Sequence, residues 1–522
     1  MADEAPLLLR YDSAENQNEL GGKRPPPPSM STVDETLESY MGVCQLLQAI
    51  FVAFAWAFDA QQTFINVFTD AEPTWHCTSA GDSDSAACSA STPCGLPPGS
   101  WVWDSPAHAS VVSEWSLQCA GSALVGLPAS AYFLGCLFGG FLLSTLADSV
   151  LGRKNMLFLS CFTMSLSAAL TLVSPNLWAY AAMRLLCGCA RATVGTSALV
   201  LSTEMVGKRW REKVSIAGFF FFTLGFLSLP AMAYLNRGAS WRRLYLWTSV
   251  PCFFYSVLIY FWIKESPRWL LVRGRRDEAI QTIKSMTANN RNAITSSFSK
   301  LIVAEDAGDF DNVFSALKVL WVKRWALRRL LAAMTVGFGL GLVYYGMPLN
   351  LGNLGSDLYL SVTLNALAEL PSSLATLFLV GRVNRRSSTV AFTTASGALS
   401  LLCVAVTTEP WRTAAEVSSF FAACTAFDLL LIYCIELFPT CVRNSAITMV
   451  RQTIVLGGVF APVLVAEGRK RSFLSFGVFG TVVGCCGLFT ACLPETRGRS
   501  MCDTMEEEEL KQMIMSTSTT TP

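Results

Sequence analysis

Ionisable side chains interrupt the long apolar stretches of this 522-residue chain, and six of them are best placed for a function. Three are acids and three are arginines: Asp59, Glu369, Asp428, Arg184, Arg191 and Arg451. A charge inside a membrane span costs about 3 kcal/mol or more, so each group is a candidate functional residue. A carboxylate can bind an organic cation or a proton, whereas a guanidinium offers paired donors to a carboxylate. Because the six charges sum to zero, neutralisation in structural ion pairs is the competing interpretation.

The three acids differ in their surroundings. Asp428 has no basic residue within one helical turn, which leaves a cation or proton site and a structural partner as its two interpretations. Asp59 is followed by two glutamines, and it is a candidate to bind a cationic head, to carry a proton or to pair with an arginine. Glu369 stands two residues before Pro371. A polar group beside a proline-broken turn often lines a cavity, so we expect Glu369 to face a binding site.

The three arginines differ in their predicted depth. Arg184 and Arg191 are seven residues apart and share one helix face. Arg184 lies nearer the membrane surface, so we expect it to anchor a loop or to snorkel. Arg191 lies deeper and is a candidate substrate ligand. Arg451 lies close to the cytoplasmic end of its span, where a carboxylate clamp and a gate ion pair are both open.

The composition predicts that these residues lie in membrane-spanning helices. Hydrophobic residues make up 52% of the chain and charged residues 15%, against about 25% charged in soluble proteins. A net charge of +1 gives no bulk electrostatic case for nucleic-acid binding. Apolar runs of about 20 residues are membrane-spanning helices. Twelve occur, at about 43–69, 122–146, 156–174, 178–200, 214–235, 244–263, 329–349, 357–380, 388–407, 414–436, 446–466 and 472–493.

The basic residues orient these spans. With both tails in the cytoplasm, 28 of the 39 Lys and Arg fall on the cytoplasmic side. The predicted organisation is a disordered N-tail, a six-helix half, a basic cytoplasmic loop, a second six-helix half and a disordered cytoplasmic C-tail. Their ranges are 1–40, 41–263, 264–328, 329–495 and 496–522.

The first loop, 70–121, faces the exterior or an organelle lumen and contains no Lys or Arg. It holds four cysteines: Cys77, Cys88, Cys94 and Cys119. On an oxidising face they predict two disulfides, in any of three pairings. A metal site at His76 and Cys77 is less favoured than use of the cysteine in a disulfide.

The two halves contain a weak internal repeat. An acid stands seven residues before an arginine after the fourth span, at Glu204, and after the tenth, at Glu436, an offset of 232. Glu265 after the sixth span and Glu495 after the twelfth are offset by 230. Two similar offsets predict duplicated halves that enclose a midplane site and alternate their access to it.

These motifs carry a family resemblance. The segment 148–154, Asp-Ser-Val-Leu-Gly-Arg-Lys, resembles the signature loop of the major facilitator superfamily. Together with the Cys-bearing first loop, Glu265-Ser-Pro-Arg268-Trp-Leu and Glu436-Leu-Phe-Pro-Thr-Cys-Val-Arg443, it resembles the organic cation/carnitine transporters. Residues 58–64 are similar to the plant branch. The resemblance covers about 40–495 and implies an all-α major facilitator fold with two pseudo-symmetric six-helix halves.

Two departures bear on the substrate. The second copy of the signature loop, 381–386, lacks the acid of the first copy. Animal organic cation transporters carry a substrate-contacting acid in span eleven, at the position of Val455 here, and Arg451 stands one helical turn earlier. This change favours a zwitterion such as carnitine, or an anion, over simple monocations.

The resemblance also implies roles for charged span ends and for aromatic residues. Tyr344, Tyr345 and Tyr132 fall where the family lines its pocket, and an aromatic ring can bind a quaternary ammonium. The charged span ends imply an ion-pair network that latches the halves while the carrier opens outward, with ordinary membrane-surface charge as the alternative. They are Asp148, Arg153, Glu204, Arg211, Glu265, Arg268, Glu436, Arg443, Glu495 and Arg497.

No enzyme chemistry is evident. The chain lacks a phosphate-binding P-loop, and both of its histidines lie in the first loop. We therefore expect no cofactor and no metal, and a monomeric transporter of small organic cations or zwitterions, with carnitine and polyamines first. The alternatives are a sugar or organic anion transporter of the same fold, and a non-transporting receptor that uses loop 70–121.

The driving force and the location stay open. Membrane potential and a proton gradient are both possible, with Asp59, Glu369 and Asp428 as proton carriers. An acidic dileucine pattern, Asp3-Glu4 followed by Leu7-Leu8, is of the kind that sorting adaptors bind. It favours the vacuolar membrane over the plasma membrane.

Overall fold

A computed structural model describes residues 43–78, 93–97, 99–146, 151–286, 320–380, 382–470, 472–498, 502 and 504–510. The predicted N-tail with its dileucine pattern, Cys88, Asp148 and the Ser/Thr-rich C-terminus lie outside the described residues.

Twelve helices of the described chain are long and apolar enough to cross a membrane, which confirms the predicted fold class. They are α1 (Val43–Thr69), α2 (Ser122–Leu146), α3 (Arg153–Leu170), α4 (Leu177–Glu204), α5 (Lys208–Leu235), α6 (Arg242–Trp262), α7 (Arg324–Asn350), α8 (Leu358–Val380), α9 (Arg385–Ala405), α10 (Glu409–Leu437), α11 (Thr440–Lys470) and α12 (Ser472–Leu488). Their outward faces carry apolar side chains such as Phe138, Phe254 and Phe378, which are about half exposed. Lipid solvates such a surface without any polar cover.

Three interruptions divide two of the helices. Helix α1 is interrupted at Phe54 and at Ile65, and α4 is interrupted at Ala192–Thr193, directly after Arg191. In contrast, Pro371 stays inside a continuous α8. The expectation of a proline-broken turn beside Glu369 is therefore wrong, because packing from neighbouring helices keeps the segment helical despite the missing N–H.

The first six helices form one half and the last six form the other. The halves meet where α2 packs on α11 and where α5 packs on α8. At the first contact, a Cβ added to Gly126 would lie 2.8 Å from the backbone of Pro462. Only glycine permits this approach of two helix backbones.

The loop after α1 is held to the first half. Strands β1 (Trp75–Cys77) and β2 (Trp101–Trp103) pair antiparallel, with Trp75 opposite Trp103. Arg242 at the start of α6 donates to Glu114 at 2.6 Å, and the indole of Trp241 donates to the same carboxylate at 2.7 Å. These bonds fix the short helix Val111–Glu114 over the start of α6.

A set of five residues closes the two halves together at the end that carries this loop; we call it the loop-end seal (Phe68, Glu72, Tyr234, Tyr359 and Arg469). The Phe68 and Tyr359 rings stack with centroids 5.7 Å apart, and Tyr234 lies edge-on to Tyr359 at 5.6 Å. Arg469 donates to the Asp70 carbonyl at 2.8 Å and lies 3.7 Å from the Glu72 carboxylate. Burial raises the pKa of Glu72, although Arg469 opposes the shift.

The opposite end carries two further short helices, Pro267–Val272 and Arg276–Met286. With the ends of α3 and α6 they enclose a cavity of about 330 Å³, lined by Lys154, Lys264 and Trp269 among others. This cavity lies within the first half and away from the charges inside the spans.

Part of the predicted disordered C-tail is ordered. Residues 505–510 are helical. Glu508 forms a 2.8 Å ion pair with Arg329, and Glu509 accepts from Lys323 and from the indole of Trp325 at 2.9 Å. The acidic run therefore binds the basic start of α7, a partnership that composition alone does not indicate.

Candidate functional site

A basic cluster lies where α1, α4, α7 and α11 meet. Arg191 forms a bidentate ion pair with Asp59, in which Nη2 lies 3.2 Å from Oδ2 and Nε contacts Oδ1. Arg451 of the second half lies within electrostatic range of Asp59, Arg191 and Tyr345. One acid therefore faces two arginines, and the cluster carries a net positive charge.

Local backbone structure explains the position of Arg191. It is the last residue of the first segment of α4, before the interruption at Ala192–Thr193. The carbonyl end of a helical segment is electronegative and favours a cation there. Of the three roles open for Asp59, pairing with an arginine is the one found in this structure.

Arg451 occupies a different depth from the one predicted. Helix α11 begins at Thr440, six residues before the predicted span, so Arg451 lies eleven residues into the helix. At 1.5 Å per residue this is roughly 17 Å from its start, near the middle of the helix. Arg451 is exposed although it lies at this depth and faces charges of the other half. Its side chain therefore borders water-accessible space between the halves. Val455, one turn further on, is half-buried against the core.

An acidic cluster lies in the second half, between α7, α8 and α10. Tyr344 donates to Oε1 of Glu369 at 2.6 Å, and Ser373 donates to Asp428 at 3.3 Å. The two carboxyl groups are close enough for their charges to repel. Oε2 of Glu369 is buried without a hydrogen-bond partner among the described residues. Two neighbouring acids with spare oxygen acceptors form a site that attracts a cation.

Aromatic rings surround the acidic cluster. The Tyr344 ring stacks on Phe427 at 4.8 Å and on Phe420 at 5.9 Å between centroids. Phe64 of the first half lies edge-on to Tyr344 at 6.3 Å and stacks on Phe226 at 4.0 Å. Aromatic faces next to carboxylates suit a quaternary ammonium group.

Two consecutive residues of α7 connect the clusters. Tyr344 bonds to the acidic cluster, whereas the charges of Arg191 and Arg451 act on Tyr345 and its ring lies 4.6 Å from Phe133. Successive helix residues point about 100° apart, so one turn of α7 contributes to both clusters.

Tyr132 and Arg184 differ from their predicted roles. Both are fully buried. Arg184 lies 4.2 Å above the Tyr132 ring and donates to Asn66 at 2.5 Å and to the Gln62 carbonyl at 2.9 Å. Tyr132 therefore offers no free ring face to a substrate, and Arg184 fastens α4 to α1 instead of snorkelling. The shared face predicted for Arg184 and Arg191 is found, since both contact α1.

The sequence analysis missed Glu416. It lies eight positions into α10 and is fully buried, with its Oε2 accepting from Asn365 at 2.9 Å. The available signal was its place two residues inside the predicted span 414–436. The signal was weak because the helix begins at Glu409, five residues before the predicted span, which left Glu416 at the edge of that span.

The charged span ends form the same arrangement twice. In the first half, Glu265 accepts from the backbone N–H groups of Arg153 and Lys154 at 3.1 Å, and Arg153 lies 3.7 Å from Glu204. In the second half, Glu495 accepts from the N–H groups of Arg385 and Arg386 at 2.9 and 3.1 Å. Arg385 pairs with Glu436 at 3.1 Å.

These pairs correspond at the predicted offsets, and Arg385 is the partner that the sequence analysis did not identify. Each of these pairs joins residues of one half. The predicted latch between halves stays a prediction, since Asp148 lies outside the described residues.

Of the remaining candidates, Arg443 donates to the Phe438 carbonyl at 3.2 Å, Arg211 lies near Glu204, and the Arg497 backbone N–H donates to Glu495. Arg268 lies in the short helix Pro267–Val272.

One disulfide of the first loop is described, between Cys94 and Cys119, with Cα atoms 5.5 Å apart. Cys77 is also disulfide-bonded.

Comparison with known proteins defines the class. Residues 111–462 match the Major Facilitator Superfamily. The xylose transporter XylE from E. coli, in a partially occluded inward open conformation, has the same fold, with a TM-score of 0.59 and 14% identity over 89% of this chain and 100% of that chain. The chain therefore belongs to the major facilitator superfamily.

Sequence relatives narrow this class. Organic cation/carnitine transporter 3 of Arabidopsis thaliana is 54% identical over 98% of this chain and 99% of its own length. Organic cation/carnitine transporter 2 of the same plant is 56% identical over 92% and 95%. Mouse solute carrier family 22 member 3 is 29% identical over 77% and 72%. The chain is a member of the organic cation/carnitine transporter family.

Proposed function

We propose that this protein transports small organic cations and zwitterions across a membrane, with carnitine as the first candidate and polyamines next. The observation that carries the proposal is the pair of oppositely charged clusters that α7 connects through Tyr344 and Tyr345. A zwitterion with a quaternary ammonium and a carboxylate matches both clusters at once. The names of the plant relatives agree with this substrate class.

Each end of the substrate has a proposed ligand set. The ammonium group binds against Glu369 and Asp428, beside the ring of Phe427, while Tyr344 orients Glu369. The carboxylate binds Arg451, because Arg191 directs the Nε–Nη2 edge of its guanidinium to Asp59 and its charge is already paired. A guanidinium that borders water has donors to offer an incoming carboxylate.

Alternating access follows from the contacts between the halves. The loop-end seal closes one side of the clusters in this structure. We propose that the seal opens when the halves rock about the clusters, and that the repeated ion-pair motifs then latch the opposite end. The proposed orientation places both termini in the cytoplasm, in the vacuolar membrane by preference, with the monomer as the transport unit.

Uptake of labelled carnitine into vesicles that contain the purified protein tests this function. We expect wild-type uptake, loss of carnitine and tetraethylammonium uptake in Asp428→Asn, and loss of carnitine uptake alone in Arg451→Gln. A hydrogen bond to a charged group is worth about 1.5–3 kcal/mol, so the apparent affinity for carnitine should fall roughly 10- to 100-fold in Arg451→Gln. Glu409→Gln, an exposed acid at the start of α10, is the control.

Two outcomes contradict the proposal. Tetraethylammonium or spermidine uptake without any carnitine uptake would exclude the zwitterion clamp and assign Arg451 to gating. A wild-type protein that transports neither carnitine, tetraethylammonium nor spermidine would exclude this substrate class. Binding of any of these compounds without transport would favour a receptor.

A further inference from the structure

Glu416 and Asn365 form an isolated polar pair between α10 and α8. Both side chains are fully buried. The Asn365 amide donates to the Ser361 carbonyl at 3.0 Å and to Oε2 of Glu416 at 2.9 Å. The remaining two oxygens of the pair, Oε1 of Glu416 and Oδ1 of Asn365, have no hydrogen-bond partner among the described residues.

The chemistry of the pair identifies what it lacks. A carboxylic acid and a primary amide form two reciprocal hydrogen bonds: the amide N–H donates to one acid oxygen, and the acid O–H donates to the amide oxygen. The first bond is present, and the two unpartnered oxygens are the acceptor and the proton-bearing atom of the second. A proton on Oε1 completes the pair and removes the charge.

Among the described residues, no cation lies close enough to Glu416 to neutralise it instead. Arg412 precedes it by one turn of α10, but its guanidinium lies above the Phe476 ring at 5.8 Å and faces the Leu354 carbonyl at 3.5 Å. The other ionisable groups in range are Cys403 of α9 and Cys424 of α10. Burying a carboxylate without a charged partner is far more costly than burying the neutral acid.

The pair is connected to the moving parts of the molecule through α8. Tyr359 of the loop-end seal lies six residues before Asn365, which is roughly 9 Å along the helix. Glu369 of the acidic cluster follows Asn365 by one turn on the same face. The helix that carries Asn365 therefore also carries a residue of the seal and a residue of the acidic cluster.

We propose that Glu416 is a proton-binding site, completed by Asn365, through which substrate movement is coupled to a proton gradient. The proton enters from water on the loop side, resides on Oε1 while the pair is buried, and leaves to water on the other side after the halves have moved. No bond other than this O–H forms or breaks. The coupling to substrate rests on the proposed function, whereas the binding of a proton does not.

Two transport assays with labelled carnitine separate coupling from substrate binding. Exchange of internal for external carnitine at equal pH needs no proton gradient, whereas net accumulation against a carnitine gradient does. We expect Glu416→Gln, which keeps the shape and hydrogen bonds of the neutral acid, to retain exchange within about twofold and to lose gradient-driven accumulation. Glu409→Gln should behave as wild type in both assays.

Three results would overturn the coupling. They are carnitine accumulation by the wild type that is independent of the pH gradient, carnitine accumulation by Glu416→Gln that equals that of the wild type, and loss of carnitine exchange together with accumulation in Glu416→Gln.

Infrared spectroscopy tests proton binding separately from transport. If the wild type exchanges no carnitine, the proposed function fails, but this measurement still decides whether Glu416 binds a proton. We expect a carbonyl stretching band of a protonated acid that is present in wild type and Glu409→Gln and absent in Glu416→Gln. The same band in all three proteins would overturn the proton site.

Discussion

Tyr344 and Glu369 are joined by a 2.6 Å hydrogen bond that crosses from α7 to α8. It orients one carboxylate of the acidic cluster while the ring of the same tyrosine stacks on Phe427. The adjacent Tyr345 contacts Phe133 and lies beside the basic cluster. Tyr344 therefore contacts the acidic cluster and Tyr345 the basic cluster, so substitutions of the two tyrosines should affect different parts of a substrate.

Removal of the two hydroxyl groups should affect different substrates. We expect Tyr344→Phe to raise the KM for tetraethylammonium about 10-fold, because the lost hydrogen bond orients the Glu369 carboxylate and favours its charged, cation-binding form, an effect worth roughly 1.5 kcal/mol or more. Tyr345→Phe should leave this KM unchanged, since its partners bind no part of a simple cation. Equal KM changes in the two variants, measured by uptake kinetics, would contradict the separation of the clusters.

A covalent bond across the loop-end seal should stop transport. The Phe68 and Tyr359 rings belong to opposite halves and stack at 5.7 Å, so a short, reducible bifunctional thiol reagent should bridge the pair Phe68→Cys and Tyr359→Cys. We expect net uptake to fall to background and to return after reduction. Each single variant should be insensitive to the reagent, and full activity of the cross-linked protein would show that the seal need not open.

The loop-end seal should respond to pH through Glu72. Its pKa is raised by burial in the closed state, so the closed state binds the proton more tightly than a hydrated, open state does. Acidification should therefore favour closure, and closure should weaken as pH rises through the raised value. Asp70 also has a raised pKa and lies beside this group, so Glu72→Gln is needed to isolate the contribution of Glu72.

Hydrogen exchange at 66–72 and 356–361, corrected for the intrinsic pH dependence of exchange, measures this closure. We expect wild-type protection to increase from neutral to acidic pH and the dependence to weaken in Glu72→Gln. An identical profile in both proteins would mean that Glu72 does not govern the seal.

The two helix caps at the opposite end should contribute independently to stability. Glu265 caps α3 and Glu495 caps α9 through paired backbone N–H groups. Loss of a charged cap costs about 1 kcal/mol, so Glu265→Gln and Glu495→Gln should each lower the apparent Tm. Because the caps lie in different halves, the two decreases should add in the double variant. Thermal unfolding of the detergent-solubilised proteins measures this, and a non-additive double variant would indicate contact between the caps.

The architecture could be predicted from the sequence because a span is a local property: about 20 apolar residues suffice, whatever packs against them. The repeat could also be predicted, because the offsets of 232 and 230 are read directly from the positions of matching motifs. Arg385, however, was missed, because its equivalence to Arg153 depends on where α9 begins. The start of α9 cannot be located from motif spacing, because the second copy of the signature loop, 381–386, lacks the acid of the first copy.

The site was less predictable because partners come from distant helices. Asp59 and Arg191 are 132 residues apart, and their pairing depends on how α4 lies against α1. The burial of Tyr132 beneath Arg184 depends on the same packing. Glu416 was not predicted because hydropathy locates the centre of a span well and its end poorly, and Glu416 stood only two residues inside the predicted start of its span.

The loop between α1 and α2 is fastened through Glu114 to Arg242 and Trp241 of the first half. The short helix Val111–Glu114 of this loop therefore travels with that half. An antibody fragment or a fluorophore attached to it would therefore act as a lever arm, magnifying a small rotation of the helices beneath into a displacement that can be followed on single molecules.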